Sequence, residues 1–108
     1  MDNQETTQEG DNLLPIDYHK VENALLILRS LNNKLRQQIL KIINEKMKMN
    51  VTEIYVELKL KQSVASQQLG ILRKAGIVST QSKGKFMYYT INDKRVDAIE
   101  RFVKNLLG

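Results

Sequence analysis

The sequence contains no cysteine, which excludes disulfides, thiolate metal ligands and thiol-based redox sensing in one step. Histidine occurs once, at His19, so metal sites and acid-base chemistry that need imidazoles have little to draw on. No apolar run approaches the roughly 18 residues that a membrane span needs. The first segment, residues 1–14, holds Asp2, Glu5, Glu9 and Asp11 without any Lys or Arg, so it lacks the cationic start and apolar stretch of an export signal. A soluble, cytoplasmic protein is expected. There is also no nucleophile-base pair, no Gly-rich phosphate loop and no acid cluster beside the histidine, so we expect neither enzymatic activity nor a cofactor. The most telling absence is internal: from Lys59 to Asn92 there is no Asp or Glu.

A chain of 108 residues makes one domain with a modest core. Residues 1–14 read as a disordered acidic tail, and residues 15–108 as the domain. The chain has 17 Lys and Arg against 12 Asp and Glu, a formal charge of +5. Removing the tail's four acids leaves eight against 17, so the domain carries nine net positive charges. Within the acid-free stretch stand Lys59, Lys61, Arg73, Lys74, Lys83 and Lys85. A surface that must lie against a polyphosphate gains from counterion release and loses from every nearby carboxylate. A solvated protein surface has no such reason to exclude acids, although a charge run alone is commonly just a solvated face.

The pattern inside the stretch gives it direction. Pro15 and Asp17 signal a helix from Tyr18 to Leu31, with Asp17 as its N-cap. Its centre, Ala24-Leu25-Leu26-Ile27-Leu28, is apolar on all sides, which implies burial on two sides. After Asn32-Asn33 a second helix places Leu35, Ile39, Ile42 and Ile43 at helical spacing. A third opens with Thr52 as the expected N-cap, Glu53 near the favourable end of its dipole, and Val51 and Val56 as a hydrophobic staple. Lys59-Leu60-Lys61 makes a short turn into a fourth helix, Gln62 to Ala75, whose core side is Ala65, Leu69 and Leu72. The other side presents Ser63, Ser66, Gln67, Gly70 and Arg73. An ordinary solvated helix would carry Glu and Lys pairs there; short hydrogen-bonding side chains and a glycine instead permit close approach to base edges.

Helix, short turn and helix together read as a helix-turn-helix. Gly76 stops the fourth helix, and the β-prone runs Ile77–Gln81 and Phe86–Ile91 flank a Ser82-Lys83-Gly84-Lys85 tip, a hairpin placed as a wing. A last helix, capped by Asn92 or Asp93, carries Val96, Ile99, Phe102, Val103, Leu106 and Leu107 over a broad arc. A core of this size cannot hide both terminal helices, so they are expected to pack with their counterparts in a homodimer through Val21, Leu25, Leu28, Ile99, Phe102, Val103 and Leu106. A hydrophobic partner protein is the alternative cover.

From about Leu31 to Ile91 the chain resembles the ArsR/SmtB family of bacterial winged-helix repressors. The stretch Leu60-Lys61-Gln62-Ser63-Val64-Ala65-Ser66-Gln67-Gln68-Leu69-Gly70-Ile71-Leu72-Arg73-Lys74-Ala75-Gly76-Ile77-Val78 is similar to the family's recognition helix. Phe86-Met87-Tyr88-Tyr89 looks like its aromatic strand after the wing glycine, and Arg36 with Ile39-Leu40 matches its second helix, although Lys34 replaces a frequent proline. Gln67 and Gln68 stand where many members have His or Arg. The resemblance implies a mainly α (α+β) fold, a winged helix-turn-helix with five helices and a two-stranded β-hairpin wing, whose terminal helices form a dimer interface. It also implies transcriptional repression.

The departures bear on what is sensed. Asn50-Val51-Thr52 occupies the segment where the metal-sensing branch has two Cys flanking a Val, and an amide and a hydroxyl cannot replace thiolates for a soft metal. Another branch binds zinc through Asp and His on the terminal helices, yet the last helix offers Asp93, Asp97 and Glu100 without a histidine. His19, beside Asp17 and Glu22, is a lone imidazole on a first helical turn. No metal is expected.

The expected mechanism is a dimer placing two copies of the fourth helix in successive major grooves, about 34 Å apart, on an imperfect palindrome in double-stranded DNA. Gln62, Ser63, Ser66 and Gln67 are the expected base readers, with Val64 against a thymine methyl. Lys59, Lys61, Arg73, Lys83 and Lys85 are expected phosphate contacts, the last two from a wing formed with Ser82 and Gly84. The rival readings are a winged-helix module that binds another protein through its terminal helices, and non-specific nucleic-acid packaging.

Overall fold

A computed structural model describes residues 14–108; the expected acidic tail lies, except for Leu14, outside the described residues. The elements are α1 (Tyr18–Leu31), α2 (Lys34–Lys46), β1 (Met49–Asn50), α3 (Val51–Glu57), α4 (Gln62–Lys74), β2 (Val78–Lys83), β3 (Phe86–Ile91) and α5 (Asp93–Leu107). Five helices and an antiparallel hairpin make a winged helix-turn-helix. The sheet has a third strand that the sequence did not announce: β1 pairs with β3, Met49 opposite Tyr89 and Asn50 opposite Tyr88, giving the order β1-β3-β2.

The same two residues correct the start of α3. Its N-cap is Asn50, not Thr52: the Asn50 amide oxygen accepts from the Glu53 N–H at 2.8 Å while the Glu53 carboxylate accepts from the Asn50 N–H at 2.9 Å, a reciprocal capping box. The expected Val51–Val56 staple therefore falls out of register, and Val56 is exposed. Met49 and Ile54, the residues before the cap and at the fourth helical position, occupy the staple positions and are both buried in the core. The expected cap Asp17 holds, Asn92 rather than Asp93 caps α5, and Asn33 caps α2.

The core joins Ile39, Ile42 and Ile43 of α2, Met49, Ile54 of α3, Leu69 and Leu72 of α4, and Ile77 and Val78 at the start of the hairpin. Full burial of each aliphatic side chain is worth about 1.5–3 kcal/mol, so α2 and the inner side of α4 are firmly seated. Helix α4 ends in a Schellman closure: the Ile77 N–H bonds the Leu72 carbonyl at 3.0 Å and the Gly76 N–H bonds the Arg73 carbonyl at 2.9 Å, with Gly76 at φ 75°. Ile77 and Leu72, the apolar pair of that motif, are both wholly buried. Asn92 then ties α5 to this corner, its amide nitrogen donating to the Gly76 carbonyl at 2.9 Å while its amide oxygen accepts from the Arg95 N–H.

A polar clamp links α1, α2 and α4. The Arg36 guanidinium on α2 donates to the Ser30 carbonyl (Nε, 2.6 Å) and the Arg29 carbonyl (Nη2, 3.3 Å) at the end of α1, and to Gln68 Oε1 of α4 (Nη1, 2.7 Å). Gln37 donates to the Leu31 carbonyl at 2.8 Å. Terminal carbonyls of a helix have no partners of their own, and a cation at that end also meets the favourable pole of the dipole. Arg36→Ala should lower unfolding free energy by about 2–3 kcal/mol in a urea titration. Arg36→Lys should stay nearer to the alanine variant than to wild type, because an ammonium cannot present a planar fork to three acceptors. Asn50→Ala should cost about 1 kcal/mol in the same measurement.

Candidate nucleic-acid interface

Helix α4 is seated by Ala65, Leu69 and Leu72, all wholly buried, and helical periodicity then sends the opposite positions outward. Gln62, Ser63, Ser66, Gln67, Gly70 and Arg73 are all exposed. Val64 is half-buried, on the flank of this face. Gln67 and Gln68, alike in sequence, part company here: Gln67 faces solvent, whereas Gln68 is half-buried and held by Arg36. The signal for this was present, since Gln68 lies four residues before Leu72 and so borders the core stripe.

The cations surround this face. Lys59 and Lys61 are exposed in the turn before α4, Arg73 on its last turn, and Lys83 and Lys85 at the hairpin end. The hairpin is tighter than the sequence implied. Ser82 and Lys83 belong to β2, paired with Met87 and Phe86, so only Gly84 and Lys85 form the loop. Gly84 has φ 64° and Lys85 is not among the positive-φ residues, the pattern of a type II′ turn with glycine first. Lys85 Nζ lies 5.7 Å from the Phe86 ring centre, and Phe86 meets Tyr88 edge-on at 6.3 Å. Lys48, which sequence reasoning passed over, sits 5.4 Å from the Tyr88 ring centre and adds a cation beside the wing.

The electrostatics are one-sided. The ion pairs among the described residues, His19 with Glu22 and Arg101 with Asp97, lie on α1 and α5, so Lys59, Lys61, Arg73, Lys83 and Lys85 have no carboxylate partner among the described residues. Helices α1, α2, α3 and α5 each have a side-chain N-cap, whereas α4 has neither a side-chain cap nor an acid in its first turn. Its leading N–H groups and the positive end of its dipole are therefore open to an anion.

Lys59 is held at a cost. The Leu60 N–H bonds the Tyr55 carbonyl at 2.8 Å and the Lys59 N–H bonds the Val56 carbonyl at 3.3 Å, the closure in which glycine normally supplies the left-handed residue. Lys59 occupies it at φ 55°. A lysine there costs about 1 kcal/mol, and the arrangement keeps a positive charge at the turn.

Elsewhere, the residues expected at a dimer interface lie along α1 and α5. Val21, Leu25, Phe102 and Leu106 are exposed, and Leu28, Ile99 and Val103 half-buried; α5 has no buried residue at all. Ala24, Ile27, Leu28, Ile99 and Phe102 line a hollow of about 160 Å³ between the two helices. Among the described residues no three His, Cys, Asp or Glu side chains gather as a metal site. His19 lies 3.9 Å from Glu22 with both side chains exposed. No helix among the described residues is long and apolar enough to cross a membrane.

Comparison with known proteins agrees with this geometry. Residues 33–80 match the bacterial regulatory protein, arsR family. The chain is 39% identical over 87 residues to an uncharacterized HTH-type transcriptional regulator of Methanocaldococcus jannaschii, covering 81% of this chain and 98% of that protein. It is 36% identical over 87 residues to the transcriptional repressor PagR of Bacillus anthracis, covering 78% of this chain and 84% of PagR; the PagR crystal structure superposes with a TM-score of 0.65 over 81% of this chain and 99% of that one. The transcriptional activator HlyU of Vibrio cholerae is 31% identical over 83 residues, 77% of this chain and 76% of HlyU. The chain belongs to the arsR family of regulatory proteins and is a DNA-binding transcriptional regulator.

Proposed function

We propose that the protein works as a homodimeric repressor that occludes its operator, with α4 as the reading helix and the β2–β3 hairpin as a wing on the phosphate backbone. The observation that carries this is the exposed face of α4, with no carboxylate from Lys59 to Asn92 and five cations around it that form no ion pair among the described residues. In this reading Gln62, Ser63, Ser66 and Gln67 contact base edges, with glutamine suited to bidentate contact with adenine, and Val64 meets a thymine methyl from the flank. Lys59, Lys61, Arg73, Lys83 and Lys85 contact phosphates. The protein acts by binding alone, in the cytoplasm, without catalysis and without a metal or cofactor.

Dimerisation is supported by the apolar arcs of α1 and α5. On α5 Phe102 is 46% and Leu106 68% exposed, and on α1 Val21 44% and Leu25 39%, apolar side chains that a partner surface would cover. In this reading the paired arcs bring two copies of α4 to one side of the dimer, as successive major grooves about 34 Å apart require. Repression is supported by the name of PagR, although HlyU is named an activator. A reporter gene behind the bound site decides the sign: expression that falls when the protein is supplied supports occlusion, and expression that rises overturns it.

The role assignment has its own test, on a duplex that the wild-type chain selects from a randomised pool. Gln67→Ala should cost about 1–3 kcal/mol of binding and relax sequence preference. Lys85→Ala should weaken all sequences alike and reduce the slope of log affinity against log salt by about 0.9. The opposite result, preference altered by Lys85→Ala and untouched by Gln67→Ala, reverses the roles. Failure to enrich any sequence at moderate salt favours non-specific packaging.

For the dimer, Phe102→Glu with Leu106→Glu should yield a monomer in sedimentation equilibrium with retained helical circular dichroism, and tight operator binding should be lost. A chain already monomeric as wild type, yet recovered bound to a second protein through these helices, supports the interaction-module reading instead.

A further inference from the structure

Among the described residues nothing requires Gly70 to be glycine. Gly76 and Gly84 adopt φ 75° and 64°, and a Cβ at Gly76 would approach the Arg95 guanidinium to 3.1 Å. Gly70 adopts no such backbone conformation, and a Cβ built on it meets nothing within 4 Å among the described residues. It sits in the third turn of a 13-residue helix, where alanine is a markedly better helix former because it restricts the unfolded chain and shields the backbone. The missing side chain weakens α4 with no return in packing.

Its position points to an external partner. Gly70 lies seven residues after Ser63, four after Ser66 and three after Gln67, so it shares their face. Lys74 and Arg73 follow on the next turn, both exposed, and no carboxylate of the Lys59–Asn92 stretch is available to repel an anion. A major groove about 12 Å wide leaves little clearance around a helix about 10–12 Å across. Ser63, Ser66 and Gly70 together shave the outward side of α4 along its length.

We propose that Gly70 is a positioning residue for DNA recognition: the bare backbone of α4 at Gly70 is itself in contact with the duplex and sets how deep and at what tilt the helix lies. This rests on α4 being the reading helix. Even a methyl group there would lift the helix and lengthen the contacts made by Ser66 and Gln67 on the preceding turn.

The test sets stability against binding. Gly70→Ala and Gly70→Leu both place side chains in open space and should fold; Gly70→Ala should raise the melting temperature by about 4–8 °C. Affinity for the selected duplex, measured by fluorescence anisotropy, should fall about tenfold for alanine and further for leucine. The salt slope should stay unchanged because no charge is altered. A stabilised Gly70→Ala variant that binds like wild type, while Gln67→Ala loses preference, overturns the proposal and leaves α4 as the reading helix. Wild-type binding by both Gly70→Ala and Gln67→Ala overturns the reading of α4 itself. A Gly70→Ala variant with a lowered melting temperature also overturns the proposal, since the glycine would then serve the fold.

Discussion

One guanidinium holds the parts of this molecule in register. Arg36 gathers the last carbonyls of α1 and the side chain of Gln68 on α4, so the helix expected at the subunit interface and the helix proposed to read DNA share a single fixed donor fork. Hydrogen bonds from a charged group to partly buried carbonyls are among the stronger polar contacts in a small domain. The apolar core keeps α4 from separating from α2, but packing of Leu69 and Leu72 alone is non-directional. The Arg36–Gln68 bond adds direction, fixing rotation of α4 about its axis. Gln67, one residue on, inherits that orientation.

With its inner side fixed, α4 is free to be poorly optimised elsewhere. Its N-terminus is uncapped, Lys59 stands in a left-handed conformation, and Gly70 interrupts its helix-forming sequence. Each feature costs stability and each leaves something open to an anion: N–H groups, a positive charge, a bare stretch of backbone. The other four helices, which have no comparable face to keep clear, carry side-chain caps. Departures from local optimum gather where a partner must fit.

Helix α5 shows the opposite imbalance. Its apolar positions are abundant, yet none is buried, because the single core is already filled by α2, α3, α4 and the base of the hairpin. Besides Ile99, which packs against that core, what seats α5 is polar: Asn92 bonds the Gly76 carbonyl, and the Asn92 N–H bonds the Ile77 carbonyl at 2.9 Å. A helix that leaves Val96, Phe102, Leu106 and Leu107 exposed is thereby anchored at the end of α4. Under the proposed dimer, the mutual packing of terminal helices and the placement of the two reading helices are one geometric problem.

The sequence by itself determined the helix order, the helix-turn-helix, the hairpin and the cationic, acid-free face. Each of these depends on periodicity, breakers or charge within a short window. Asp17 was legible as a cap, and Asn92 as one of two candidates with Asp93, for the same reason. Thr52 was misread because Asn50 and Thr52 are both good caps, and the choice between them was made by β1: pairing Asn50 with Tyr88 fixes extended backbone at Asn50 and lets the helix begin at Val51. Ser82 and Lys83 moved from loop to strand through pairing with Met87 and Phe86, a contact that no local propensity announces. Helical spacing set Gln68 beside the core stripe, but only the tertiary structure supplied what holds it, by bringing Arg36 from 32 residues away, and only it showed that a side chain at Gly70 would meet nothing within 4 Å among the described residues. A window of sequence reports what a residue can do, while a role that depends on a neighbour distant in the chain exists only once folding has brought the two together.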